Sequence, residues 1–87
     1  MIRSQSFIKR DIGNQTVIVA VGEATKKFHG MISVNKTGAF IWDLLENEIT
    51  LDAVTEALTE KYDIDAETAR EDAAAFIETL KEVGAVA

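Results

Sequence analysis

The sequence predicts an α+β fold, a three-stranded antiparallel sheet followed by three helices, and two patterns carry that prediction. Up to Val34 the chain holds short β-branched or alternating runs separated by Gly-containing polar stretches, whereas from Ala39 onward apolar residues recur at helical spacing. Eighty-seven residues make one domain, spanning 1–87, with no proline, linker or repeat to divide it.

Phe7, Ile8 and Ile12 bracket a short charged segment, Gly13-Asn14-Gln15 is a turn signal, and the β-branched run TVIVAV at 16–21 reads as a strand, so these residues form a hairpin. Residues 22–30 are polar and read as a flexible connection. Residues 31–34 resume the alternation as a third strand, antiparallel to the second, which leaves the first and third strands as edges. Asn35 or Thr37 caps the next helix, and Ala39, Phe40, Ile41, Trp42, Leu44 and Leu45 wrap most of its circumference, so that helix is central and buried. Thr50 caps a second helix with Leu51, Val54, Leu58 and Tyr62 on one face. Asp65 caps a third, whose stripe is Ala69, Ala73, Phe76, Leu80 and Val83, with Gly84 as the stop.

Composition removes several function classes. The absence of cysteine excludes disulfides and thiolate metal sites, and His29 alone cannot build a histidine centre. No apolar run reaches the ~20 residues of a membrane span and the N-terminus lacks a signal-peptide layout, so the expected location is cytoplasmic, with no membrane partner. Residues 1–45 carry six Lys or Arg against three Asp or Glu, and residues 46–87 three against twelve, giving +3 and −9 within a net charge of −6. So acidic a helical half repels phosphate backbones, which disfavours nucleic acid.

One set of residues resembles a known family: Val34, Asn35, Thr37, Gly38, Ala39, Ile41, Trp42, Leu44 and Leu45, then Thr50, Leu58, Tyr62, Asp72, Phe76, Leu80 and Gly84. The chain is similar, from about Phe7 to Val86, to the PqqD-like family, named from pyrroloquinoline quinone (PQQ) biosynthesis and generalised as recognition elements of ribosomally synthesised, modified peptides. Its most specific part is the Asn-x-Thr-Gly-Ala-x-Ile-Trp block at 35–42. The resemblance implies a winged-helix-like fold in which the leader region of a precursor peptide lies in the cleft between the third strand and the third helix. It also implies a non-catalytic chain that presents the precursor to a modifying enzyme, commonly a radical S-adenosylmethionine protein. Physically this is strand addition: an open edge supplies main-chain hydrogen bonds and adjacent pockets supply side-chain selectivity.

Mapped onto this chain, the edge is Gly30, Met31, Ile32, Ser33 and Val34, and the opposing wall runs along residues 70–81. With Phe76 at zero and ~100° per residue, Ala66, Arg70, Ile77 and Gly84 fall on a shoulder about 80–120° from the core stripe. Ile77 is then an apolar residue beside the stripe, replaceable without loss of the fold. Ala73 bridges stripe and shoulder, while Arg70 and Lys81 flank it, Lys81 where it could meet an acidic leader side chain.

Other conspicuous residues have simpler roles. Trp42 on an apolar helix is core. Capping and close helix approach account for Asn35, Thr37 and Gly38. His29 reads as a solvated loop residue with no nucleophile or orienting carboxylate nearby, and Glu67, Glu71, Asp72, Glu78 and Glu82 read as a solvated acidic face. There are two rivals: a winged-helix DNA-binding domain, with which the element order is compatible but which needs a basic recognition helix that residues 65–83 do not supply, and a structural or regulatory subunit whose open edge pairs with another protein or with a second copy as a homodimer.

No metal, cofactor or disulfide is expected to support the fold. Thermal unfolding is therefore predicted to be unchanged by chelator and by reductant; a fall of several degrees with chelator alone would reveal a structural ion.

Overall fold

The computed structural model describes residues 1–87. Strands β1 (Phe7–Ile12), β2 (Gln15–Ala20) and β3 (Met31–Val34) pair antiparallel in the order β1-β2-β3, and helices α1 (Lys36–Leu44), α2 (Leu51–Lys61) and α3 (Ala66–Glu82) follow. The expected sequence of elements is thus observed, with β1 and β3 as the edges.

Gly13 makes the β1–β2 turn at φ +64, a conformation that costs a side-chain-bearing residue more. The register sets Ile18 opposite both Lys9 and Ile32, and Ile18 is fully buried beneath the helices. Lys9 reaches from the same face to α1, where its Nζ lies 2.8 Å from an Asp43 carboxylate oxygen.

Residues 22–30 depart from the expected flexible connection. They open with a short 3₁₀ helix, Gly22–Lys26, closed by the Thr25 hydroxyl donating to the Gly22 carbonyl at 2.7 Å. Phe28 then folds back onto Phe7, ring centroids 6.0 Å apart, which anchors the start of β3 to the core. A single polar turn held by a side-chain bond has no apolar period, so the hydrophobic pattern gave no sign of it.

Each helix starts on a capping side chain. Asn35 Oδ1 accepts from Gly38 N at 2.8 Å, Thr50 Oγ1 from Ala53 N at 3.1 Å, and Asp65 Oδ1 from Thr68 N at 2.8 Å. The Thr68 amide bonded to it holds the Asp65 carboxyl below the usual carboxylate range. Of the two expected caps for α1, Asn35 takes the position and Thr37 lies inside the first turn.

α1 occupies the centre. Ile41, Trp42 and the following Leu45 are fully buried, and Phe40 and Leu44 half-buried, so Trp42 packs within a cluster that includes Ile18, Leu58, Leu80 and Val86. Arg3 covers the outer side of that cluster: its Nη1 donates to the Trp42 carbonyl at 3.0 Å, and its guanidinium lies 5.4 Å from the indole centroid. Gly84, at φ +81, ends α3 and turns the chain so that Val86 pairs with Arg3. Ala87 N donates to the Ile2 carbonyl at 3.1 Å, and the two chain ends lie side by side at the C-terminal end of α1.

Trp42→Ala removes the largest core side chain, a loss of ~3–5 kcal/mol set against a total near the lower end of ~5–15 kcal/mol for a domain this small. The variant is expected to be largely unfolded by amide NMR at 25 °C. A dispersed native spectrum would show that α1 is not the centre of the core.

Candidate functional site

The two sheet edges differ in kind. β1 has the sequence FIKRDI, so Lys9, Arg10 and Asp11 discourage a further strand on that side; β3 is MISV and carries no charge and no proline. Ile32 and Val34 point into the helical layer and are half-buried, whereas Met31, 57% exposed, and Ser33 face solvent. Gly30 is exposed at the start of the edge, above the Phe28 ring.

Between the N-terminal part of α1 and α3, where β3 ends at Asn35, lies a cleft of about 300 Å³. Its α1 side comprises the N-cap Asn35 with Thr37, Gly38 and Ile41, and its α3 side Asp72, Ala75 and Phe76. Gly38 is the point of closest approach. A Cβ added there would stand 3.3 Å from Val34 Cβ and 3.4 Å from the Phe76 ring, so the absence of a side chain lets strand, helix and ring converge.

This arrangement corrects the expected wall. The buried stripe of α3 is Ala69, Ala73, Ile77 and Leu80, with Ile77 only 4% exposed and Ala73 fully buried, so Ile77 belongs to the core and not to an open shoulder. Phe76 is half-buried and turned toward Gly38. The physical reason is α2, which packs along the flank of α3 that carries Arg70, and the Arg70 guanidinium is bound to Asp52 of α2. Ile77 in the middle of the expected shoulder is covered while Ala66, Arg70 and Gly84 stay exposed, and the opposite shoulder, with Asp72, Ala75 and Phe76, faces the cleft. Lys81 is exposed in the last turn, about 140° around the helix from Phe76.

Asp72 and Phe76 were missing from the expected site although both belong to the family-like pattern. The helical period alone places Phe76 in the core stripe and Asp72 on the solvated face, because two alanines and an isoleucine leave the centre of the α3 stripe undetermined by about half the ~100° between successive residues.

A larger concavity of about 970 Å³ lies around the end of the sheet, between the β1–β2 turn, α1 and the end of α2. It shares Asn35 with the cleft, but its aromatic surface is already engaged: Phe40 and Tyr62 meet edge-to-face at 5.9 Å and Lys61 Nζ sits 5.1 Å from the Phe40 centroid. Ser33 and Val34 of β3 also line the larger concavity; the smaller cleft is the candidate because its Phe76 ring is not engaged by another aromatic residue or a cation and Gly38 sets it directly against Val34 at the end of β3. No helix is long and apolar enough to cross a membrane, and no group of three or more His, Cys, Asp or Glu is placed to hold a metal ion.

Two substitutions test this geometry by urea unfolding. Gly38→Ala should change stability by no more than about 1 kcal/mol, because higher helix propensity offsets a small displacement of Val34, while Gly38→Leu must push Phe76 aside and should lose about 1–3 kcal/mol more. Ile77→Asp should unfold the domain, since a buried unpaired carboxylate costs several kcal/mol. A stably folded Ile77→Asp variant would put that residue back on an open shoulder.

No curated protein sequence matches the chain significantly. Among solved structures, TbiB1 in complex with the TbiA(beta) leader peptide superposes with a TM-score of 0.75 at 20% sequence identity, the match covering 98% of this chain and 93% of that one. The model of the family described as coenzyme PQQ synthesis protein D matches residues 15–86, which take in β2, β3, the three helices and the cleft that Gly38 opens, and the chain belongs to the PqqD family.

Proposed function

We propose that the chain is a leader-peptide recognition domain that catalyses nothing itself. It captures the leader of a ribosomally made precursor by strand addition to β3 and presents it to a modifying enzyme, a radical S-adenosylmethionine protein or another, in the cytoplasm. The observation that carries the reading is the unguarded β3 edge beside a cleft, on a sheet whose other edge is protected by three consecutive charges. Membership of the PqqD family supports it, as does the likeness in fold to a protein solved with a leader peptide bound.

In this reading the peptide backbone pairs with residues 30–34, and its inward side chains enter the cleft over Gly38, between Ile41 and Phe76. Ala73 and Ile77 support the cleft from beneath without touching the peptide. A duplex-binding role has little support: α3 carries Arg70 and Lys81 against Glu67, Glu71, Asp72, Glu78 and Glu82, and Arg70 is already paired.

Titration with the leader of a precursor encoded beside this gene should shift backbone amides in 30–35 and 72–76, at about micromolar affinity or better. The affinity should depend weakly on salt, because main-chain pairing and apolar contact carry it. Shifts confined to Phe7–Ile12 would place the partner on the opposite edge and overturn the assignment.

A further inference from the structure

We infer that the cleft selects a leader peptide bearing a basic residue, Lys or Arg, two positions from a bulky apolar one. Asp72 receives the cation, and the half-buried Phe76 receives the apolar side chain. The inference rests on the strand-addition reading and adds to it the chemistry of the peptide.

Asp72 is the one charged residue lining the cleft; Asn35 and Thr37 are neutral, and Gly38, Ile41, Ala75 and Phe76 are apolar. Asn35 Oδ1 is already occupied by Gly38 N. The Asp72 carboxylate is exposed and has no ion-pair partner. Its neighbours one turn away on α3 are Thr68, Ala69, Ala75 and Phe76, so no cation on its own helix neutralises it. Arg70 is turned to α2 and held by Asp52, Lys81 is more than two turns further on, and Lys36 lines the larger concavity on the far side of Asn35. α3 as a whole carries five acidic against two basic residues, so the field over the cleft favours a cationic ligand and repels an acidic one.

The spacing fits a strand. Asp72 and Phe76 are four residues apart, ~6 Å along the helix axis, close to the ~6.8 Å that separates side chains on one face of an extended chain. A peptide following the cleft therefore offers them residues j and j+2. Had Lys81 formed the wall, the same argument would have selected an acidic side chain; the rotation of α3 reverses the sign.

The test is selection of random 12-residue peptides displayed on phage against the immobilised full chain, followed by amide titration of the individual peptides. Selected peptides should share Lys or Arg two positions from Leu, Ile, Phe, Tyr or Met. Each should bind Asp72→Asn about two- to fivefold more weakly, the range for a solvent-exposed ion pair. Asp72→Lys should prefer the versions with Glu in place of the basic residue. Enrichment of acidic residues, or an unchanged preference in Asp72→Lys, overturns the charge selection. If amides of 30–34 shift even so, strand addition stands without it. If no peptide moves those amides, both fail.

Discussion

Val34, the first turn of α1 and the Phe76 ring converge on the Cα of Gly38, and the spacing of the sheet, the central helix and α3 follows from that contact. The Asn35 side chain bonds to the amide of the same glycine, so the residue that starts the helix also fixes its angle to the strand. One turn further along, Ile41 and Trp42 carry the core toward Leu58 and Leu80. Adding a methyl group at the junction would act on three elements together, because a close-packed interior transmits displacement instead of absorbing it.

Local chemistry made most of the fold legible. The strands, the three capping side chains and the glycine stop of α3 each depend on a few neighbouring residues, and each lies within a residue or so of where the sequence puts it. Of the candidate site, the sequence located the β3 edge but not the flank of α3 that lines the cleft. Which flank of α3 borders β3 depends on where α2 packs, and nothing within α3 encodes that: Ala69 and Ala73 fit any face, and Phe76 and Ile77 compete as adjacent apolar residues. A charge comparison between helices, matching Arg70 with Asp52, is the signal that would have chosen the covered flank.

Charge is partitioned between the layers as well as between the halves of the sequence. The strands with the segments flanking them carry the basic excess and α2 and α3 the acidic one, and Lys9 with Asp43 is a point where the sheet meets the helical layer. The helical surface thus repels its own kind, which restrains two copies from stacking helix to helix, while the uncharged β3 edge stays available for pairing.

The bridge between Arg3 and Val86 brings both ends of the chain to one end of α1, and the cleft opens at the other. A tether from either end leaves from the side away from the cleft, so the domain could be joined to a larger protein, or inserted into one of its loops, without obstructing the groove. Such a linkage would convert recruitment of a bound segment from a two-body encounter into an intramolecular one, at an effective concentration of order millimolar for a short flexible connection. The pairing of Arg3 with Val86 therefore keeps residues 1–3 and 86–87 clear of the groove.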